Sequence, residues 1–149
     1  NLTLCSLDQL SKAGFINSRK RKQLSEDYIE KLMIKTPSGE QLIKNLSGGN
    51  QQKVILSRWM AIHPKLIILD EPTRGIDVGA KAEIERLIHE FSEQGISILF
   101  ISSEMAELVR NCDRILVLRD GKIMGELTGQ EISEKSIMET IATGKGKDR

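Results

Sequence analysis

The stretch Leu66–Asp77, LIILDEPTRGID, constrains the fold of this chain more than any other part of the sequence. It opens with four branched apolar residues, 66–69, which lie between two prolines. A short apolar run bounded in this way is typical of a strand buried on both faces of a parallel sheet. Asp70 and Glu71 follow at the carboxyl end, where open α/β sheets bind their ligands. We therefore expect a ligand site at these two acids or, as the simpler alternative, an aspartate that caps the next turn.

The composition argues against a nucleic-acid partner. Lys and Arg number 22 and Asp and Glu number 21, so the chain has no overall positive field to attract a phosphate backbone. Aromatic residues make up only 3%, which disfavours a base-stacking surface. A hydrophobic content of 39% over 149 residues suits one globular domain with a core.

Cysteine usage and hydropathy indicate a cytosolic protein. Cys5 and Cys112 are far apart in sequence and match no metal-ligand spacing, so we expect reduced thiols. No apolar run approaches the roughly 20 residues that span a bilayer. The chain is expected to be soluble by itself, which leaves open that it docks on a membrane partner.

A second motif, LSGGNQQK at 46–53, precedes a helical run that extends to about residue 62. Ser47 is a natural N-cap, and Gly48 and Gly49 let a ligand approach the backbone. A helix start with free amide groups and a hydroxyl can bind an anion. Two glycines in a first turn cost about 1 kcal/mol each in helix propensity, and phosphate approach is a reason to keep them. The alternative is an ordinary capped helix with a flexible entry.

The remaining patterns predict an α/β fold with a mainly parallel sheet. We expect a helical lobe at 1–45, a core at 46–142 and a disordered tail at 143–149. The element signals are amphipathic helices at 21–34 and 79–93, a buried strand at 96–101, strands at 114–118 and 122–127 flanking the Asp120-Gly121 hairpin turn, and a last helix at 133–142.

Together these motifs resemble the ATP-binding cassette of ABC transporters, a P-loop NTPase fold. LSGGNQQK resembles the family signature, LIILDEP at 66–72 its Walker B strand and RGID at 74–77 its D-loop. With SSEMAEL at 102–108, they are most similar to the second cassette of bacterial sugar importers of the ribose, galactose and xylose type. The resemblance implies that this chain is the C-terminal part of such a cassette.

The resemblance also implies roles for individual residues. Asp70 would hold Mg²⁺, and Glu71 would orient or deprotonate the water that attacks ATP. The signature would cap the γ-phosphate of an ATP held by a partner cassette, and the D-loop aspartate would reach across that interface. The residues implied in nucleotide binding are Ser47, Gly48, Gly49, Gln51 and Asp77.

The partners implied are a second cassette, in the same polypeptide or a dimer, and transmembrane permease subunits on which the helical lobe would rest. A periplasmic sugar-binding protein would take part indirectly, and no nucleic acid is expected. The expected location is the cytoplasmic face of the bacterial inner membrane.

Two departures from the family pattern qualify this expectation. No GxxxxGK[ST] phosphate loop occurs in the 149 residues, so we expect it upstream of Asn1, and this chain alone should not bind ATP tightly or hydrolyse it. Ser103 stands where most cassettes have a switch histidine, and a serine cannot carry the charge of an imidazolium. We expect the site built on Glu71 to be slow or degenerate unless nearby groups compensate, while its signature still serves the partner.

Two other functional classes remain as alternatives: a soluble cassette ATPase acting on DNA or ribosomes, and a fragment that is only an interaction module. The sequence also predicts a structural problem. In the family the phosphate-loop strand lies beside Walker B, so without it residues 66–69 should show unpaired backbone groups or an exposed apolar face.

Overall fold

The structure, a computed structural model, describes residues 1–12 and 14–143. The chain forms two compact units: residues 1–68 with 72–99, and residues 69–71 with the chain from Phe100 onward. The first unit contains both the predicted helical lobe and the signature segment, and the predicted division after residue 45 stays a prediction. Thr143 ends the last helix, and the rest of the predicted disordered tail lies outside the described residues.

The N-terminal part of the first unit is mainly helical, as predicted. Helix α1 (Leu7–Leu10) leads into a small antiparallel pair, β1 (Ser11–Lys12) and β2 (Phe15–Ile16), and then into α2 (Ser18–Lys31). Helix α2 starts three residues before the predicted range 21–34, because the Asn17 side chain accepts a hydrogen bond from a backbone N–H of its first turn. It ends earlier because the chain turns left-handed at Met33 (φ 49°).

Helices α3 (Gly48–Met60) and α4 (Val78–Glu93) pack together in the core of the first unit. Both were predicted to within two residues. The apolar periodicity at 79–93, with Ile84, Leu87, Ile88 and Phe91 at positions i, i+3, i+4 and i+7, predicts one buried face, and all four of these residues are buried. The buried apolar side chains of the two helices are Val54, Leu56, Met60, Ile84, Leu87, Ile88 and Phe91.

An ion pair between a buried lysine and a half-exposed glutamate connects these two helices. The Lys53 ammonium lies 2.6 Å from a Glu83 carboxylate oxygen and donates to the Met33 carbonyl at 3.1 Å. Lys53 is almost fully buried, whereas the Glu83 side chain is 44% exposed. The hydrogen bond from Lys53, and then its charge, lower the pKa of Glu83 below the usual 4.5.

Strands β3 (Leu66–Asp70) and β4 (Ser97–Ile101) form a two-stranded sheet. The backbone N–H of Ser97 donates to the Lys65 carbonyl and that of Glu71 to the Ile101 carbonyl, each at 2.9 Å, so the strands run parallel as predicted.

The prediction that these strands are buried on both faces is wrong. Ile67 and Leu69 are buried, but Leu66 is 55% and Ile68 61% exposed, and Leu99 of β4 is also exposed. In the described part of the chain β3 pairs with β4, and one face of the pair carries no packing layer, so the side chains alternate between core and surface. The exposed apolar face agrees with the expectation for a Walker B strand without its usual neighbour.

The second unit has its own core. Strands β5 (Arg114–Arg119) and β6 (Lys122–Thr128) form an antiparallel hairpin, and helices α5 (Met105–Asn111) and α6 (Glu134–Thr143) pack beside it. Asp120 and Gly121 both have positive φ, 51° and 73°, as a tight two-residue hairpin turn requires, which confirms the predicted turn. The buried cluster consists of Ile115, Val117, Leu127 and Ile137. Within residues 1–12 and 14–143, no helix combines the length and hydrophobicity needed to span a bilayer.

We predict that Glu83→Gln lowers the free energy of unfolding by about 1–2 kcal/mol at pH 7. This is less than the about 3–5 kcal/mol of a fully buried pair, because water screens the half-exposed carboxylate. The folded-state pKa of Glu83 lies below 4.5, so its contribution is present above that pH and is lost as the pH falls further.

Urea unfolding of this chain from pH 3 to 7 measures the effect. The difference between the two proteins should shrink below about pH 4.5. Glu93→Gln, at the exposed end of the same helix, is the control and should cause no loss of stability. A difference that does not vary with pH would contradict the assignment.

Candidate functional site

The two predicted acids lie at the end of β3. Asp70 is its last residue and is exposed, and Glu71 adopts a left-handed φ of 47°. This backbone conformation costs about 1–3 kcal/mol for a residue with a side chain and is found where the surrounding structure imposes it. The surroundings here are two hydrogen bonds: the Glu71 N–H to the Ile101 carbonyl, and the Ser103 N–H to a Glu71 carboxylate oxygen at 2.9 Å.

The structure therefore brings together Glu71 and Ser103, the two residues predicted to act in catalysis. The contact is made by the backbone N–H of Ser103 and not by its hydroxyl. It leaves the carboxylate oriented at the carboxyl end of two parallel strands, the edge of a sheet where ligands bind in α/β folds.

Asp70 could supply one ligand to a cation whose other ligands are mostly water molecules and substrate oxygens. Among the described residues, no three His, Cys, Asp or Glu side chains cluster as a metal site. Mg²⁺ is commonly held by one or two carboxylates together with phosphate oxygens, so one exposed carboxylate at a strand end fits it.

A buried acid lies behind the Ser103 turn. Glu107, in the first turn of α5, is 1% exposed and accepts a hydrogen bond from the Ser102 hydroxyl at 2.9 Å. That hydroxyl accepts in turn from the Glu104 N–H at 3.0 Å. Sequence reasoning missed this arrangement, although a glutamate at the third position of a helix is a known signal for contact with the preceding turn.

Ser47 is the N-cap of α3 as predicted, but its hydroxyl does not bond the helix backbone. It accepts from the Asn50 side-chain amide at 2.8 Å, while the Asn50 oxygen accepts from the Lys35 N–H at 2.8 Å. Since a backbone N–H can only donate, the Lys35 contact determines which end of the Asn50 amide faces Ser47. The Ser47 hydroxyl therefore acts as the acceptor in its contact with Asn50, and this contact does not use its own proton.

The two signature glycines have a packing role that the sequence did not reveal. A Cβ on Gly49 would lie 2.5 Å from the Cβ of Ala80 in α4, and one on Gly48 would lie 3.3 Å from a methyl group of Ile76. The start of α3 therefore touches the D-loop segment within the first unit. Close approach of a neighbouring helix explains Gly49 without any ligand.

Gln51 and Asp77 make local contacts in this chain. The Gln51 amide donates to the Leu46 carbonyl at 2.8 Å, and the Asp77 carboxylate caps α4 by accepting from the Ala80 N–H at 2.9 Å. An aspartate just before a helix is a common N-cap signal that the sequence reasoning left unused. The predicted roles of both residues toward nucleotide stay predictions.

The chain is similar to known proteins over almost its whole length. A family model described as ABC transporter matches residues 4–74. The ribose import ATP-binding protein RbsA of Bacillus cereus is 47% identical over 144 residues, which are 97% of this chain and 29% of that protein. Ribose import ATP-binding protein RbsA 2 of Escherichia coli O157:H7 is 46% identical over 144 residues, 97% of this chain and 28% of that protein. The chain thus spans less than a third of the relatives it matches.

The structure of this chain is also similar to solved structures of ATP-binding cassettes. A nucleotide-free ATP-binding cassette from an ABC transporter superposes with a TM-score of 0.70 at 24% identity, over 91% of this chain and 52% of that one. The likeness in structure confirms the predicted α/β cassette fold.

We predict that Gly49→Ala costs about 1–3 kcal/mol in packing, because the added methyl group overlaps Ala80. Alanine gains about 1 kcal/mol in helix propensity, so the net loss of stability should be up to about 2 kcal/mol. Adding Ala80→Gly should recover the packing loss, so urea unfolding of the four proteins of this double-mutant cycle should give a favourable coupling. Gly48→Ala is the matched control with a small effect, since Ile76 can rotate; equal losses at both glycines would refute the packing role.

Proposed function

Because this chain belongs to the ABC transporter family, as part of an ATP-binding cassette, we propose that it is the C-terminal part of the second cassette in the ATPase of a bacterial sugar importer. Its proposed work is to bind and hydrolyse ATP as part of the motor for uptake. The observation that carries the proposal is the Glu71 carboxylate, held by a backbone N–H at the end of a parallel strand, directly after the exposed Asp70.

At this edge the residues divide the chemistry of phosphoryl transfer. Glu71 would orient the attacking water and accept its proton, and the Ser103 N–H would keep the accepting carboxylate in place. Asp70 would hold Mg²⁺, which when bound neutralises charge on the phosphate oxygens.

The signature would act on a different ATP, one held by the partner cassette. The Ser47 hydroxyl and the first N–H groups of α3 would be the donors for a γ-phosphate. Gln51 would support this turn through the Leu46 carbonyl, and Asp77 would contact the partner from the start of α4.

The Ser103 position makes the site on Glu71 the slower of the two. A histidine can place a positive charge near the γ-phosphate, whereas a serine offers only a neutral hydrogen bond. The phosphate loop, which these 149 residues do not contain, would have to come from another part of the assembly, so we expect no hydrolysis by this chain alone.

The proposed partners are a second cassette and the transmembrane permease subunits, with a periplasmic sugar-binding protein acting indirectly, at the cytoplasmic face of the bacterial inner membrane. The sugar import named for the relatives supports this proposal. Neither relative is named for work on DNA or ribosomes, so no observation favours that alternative.

We predict that a chimera, in which this chain replaces the matching 144 residues of the Bacillus cereus relative, binds and hydrolyses ATP. Ser47→Ala should lower hydrolysis by about 10²-fold, the cost of removing one donor to a developing oxyanion. Glu71→Gln should lower total turnover less, because the site it serves is already slow, and should leave nucleotide binding intact.

Steady-state ATPase assays and calorimetric ATP binding measure these effects. Ser103→His should increase the part of the turnover that depends on Glu71, which identifies the serine as the slow feature. A chimera that folds and yet binds no ATP would overturn the proposed function.

A further inference from the structure

Glu107 is a buried acid that the proposed mechanism does not use. Its side chain is 1% exposed although it lies in the first turn of a seven-residue helix, α5. A carboxylate is costly to bury unless it accepts hydrogen bonds. One of its bonds comes from the Ser102 hydroxyl at 2.9 Å, so the buried acid is directed at the turn that follows β4.

Ser102 ties this turn from two sides. Its single hydroxyl proton is given to Glu107, and its oxygen accepts the Glu104 N–H at 3.0 Å. The residue between the two anchored positions is Ser103. The direction of the Ser103 N–H is therefore set by the backbone on either side of it, and this N–H donates to Glu71 at 2.9 Å.

We propose that Glu107 and Ser102 are positioning residues, which hold the Glu71 carboxylate in place through the backbone N–H of Ser103. The inference rests on the proposed function only where it assigns water activation to Glu71; the positioning itself is a property of the second unit. A displacement of about 1 Å at a reacting group can cost about 10²-fold in rate, so a buried anchor one turn away has a direct effect on chemistry.

The side chain at position 103 is then dispensable for orienting Glu71. The contact uses the main chain, which serine and alanine share. This explains how a cassette with serine at the switch position keeps an oriented carboxylate while it lacks the charge of a histidine.

The test is amide NMR on the ¹⁵N-labelled 149-residue chain, without nucleotide. The chemical shift of the Ser103 amide proton should change in Glu71→Gln, because a neutral amide replaces the charged acceptor, and this change assigns the contact. In a Ser102→Ala background the same replacement should change the Ser103 shift by less than half as much, and Ser102→Ala alone should speed hydrogen exchange at Ser103 about tenfold, as expected for a loosened hydrogen bond. Amides of the β5–β6 hairpin should keep their exchange rates.

Two variants of Glu107 separate positioning from general damage. Glu107→Gln keeps an oxygen that can accept from Ser102 and should retain most of the Ser103 response to Glu71→Gln, whereas Glu107→Leu has no acceptor and should lose that response. If the leucine variant does not fold, Ser102→Ala decides the question alone. Ser103→Ala should retain the response of the amide at position 103 to Glu71→Gln, because the contact uses the main chain.

Unchanged Ser103 signals in Ser102→Ala would overturn the inference, and so would a loss in Ser103→Ala as large as that in Ser102→Ala. The proposed function fails separately. If the NMR results hold but Glu71→Gln leaves chimera hydrolysis unchanged, Glu71 is positioned as inferred without being the group that activates water.

Discussion

The hydrogen bond from the Glu71 N–H to the Ile101 carbonyl is the contact on which the site in the second unit depends. It is the last rung of the parallel pairing between β3 and β4, and the chain leaves the strand direction at Glu71, which adopts a left-handed φ of 47°. After this turn the Glu71 carboxylate accepts a hydrogen bond from the Ser103 N–H. Backbone strain and an oriented carboxylate thus occur together at Glu71, directly after the end of the strand pairing.

The sequence predicted the elements well where the signal is local. The α4 stripe, the α3 cap position and the Asp120-Gly121 turn depend on periodicity and on turn chemistry, which neighbouring residues carry by themselves. Burial is different. The sequence LIIL is equally compatible with a strand that is covered by other elements on one face or on both faces. The exposure of Leu66 and Ile68 could therefore not be predicted from the sequence of the strand.

The sequence singled out candidate residues for the site but could not predict their contacts. The resemblance pointed to Glu71 and Ser103, and the structure brings them together, but the use of a backbone N–H in place of a side chain has no signature in sequence. Glu107 escaped notice for a related reason: an acid in a first helical turn is ordinarily explained by the helix dipole and solvent. Only its burial shows that it serves the preceding turn.

The start of α3 and the turn after β4 both contain a serine hydroxyl with a side-chain partner. At the start of α3 the Ser47 oxygen accepts from the Asn50 side chain, and after β4 the Ser102 hydroxyl donates to Glu107. In both places a serine hydroxyl is held by a partner within the chain. Dipoles that are fixed in this way need no reorganisation when charge develops beside them.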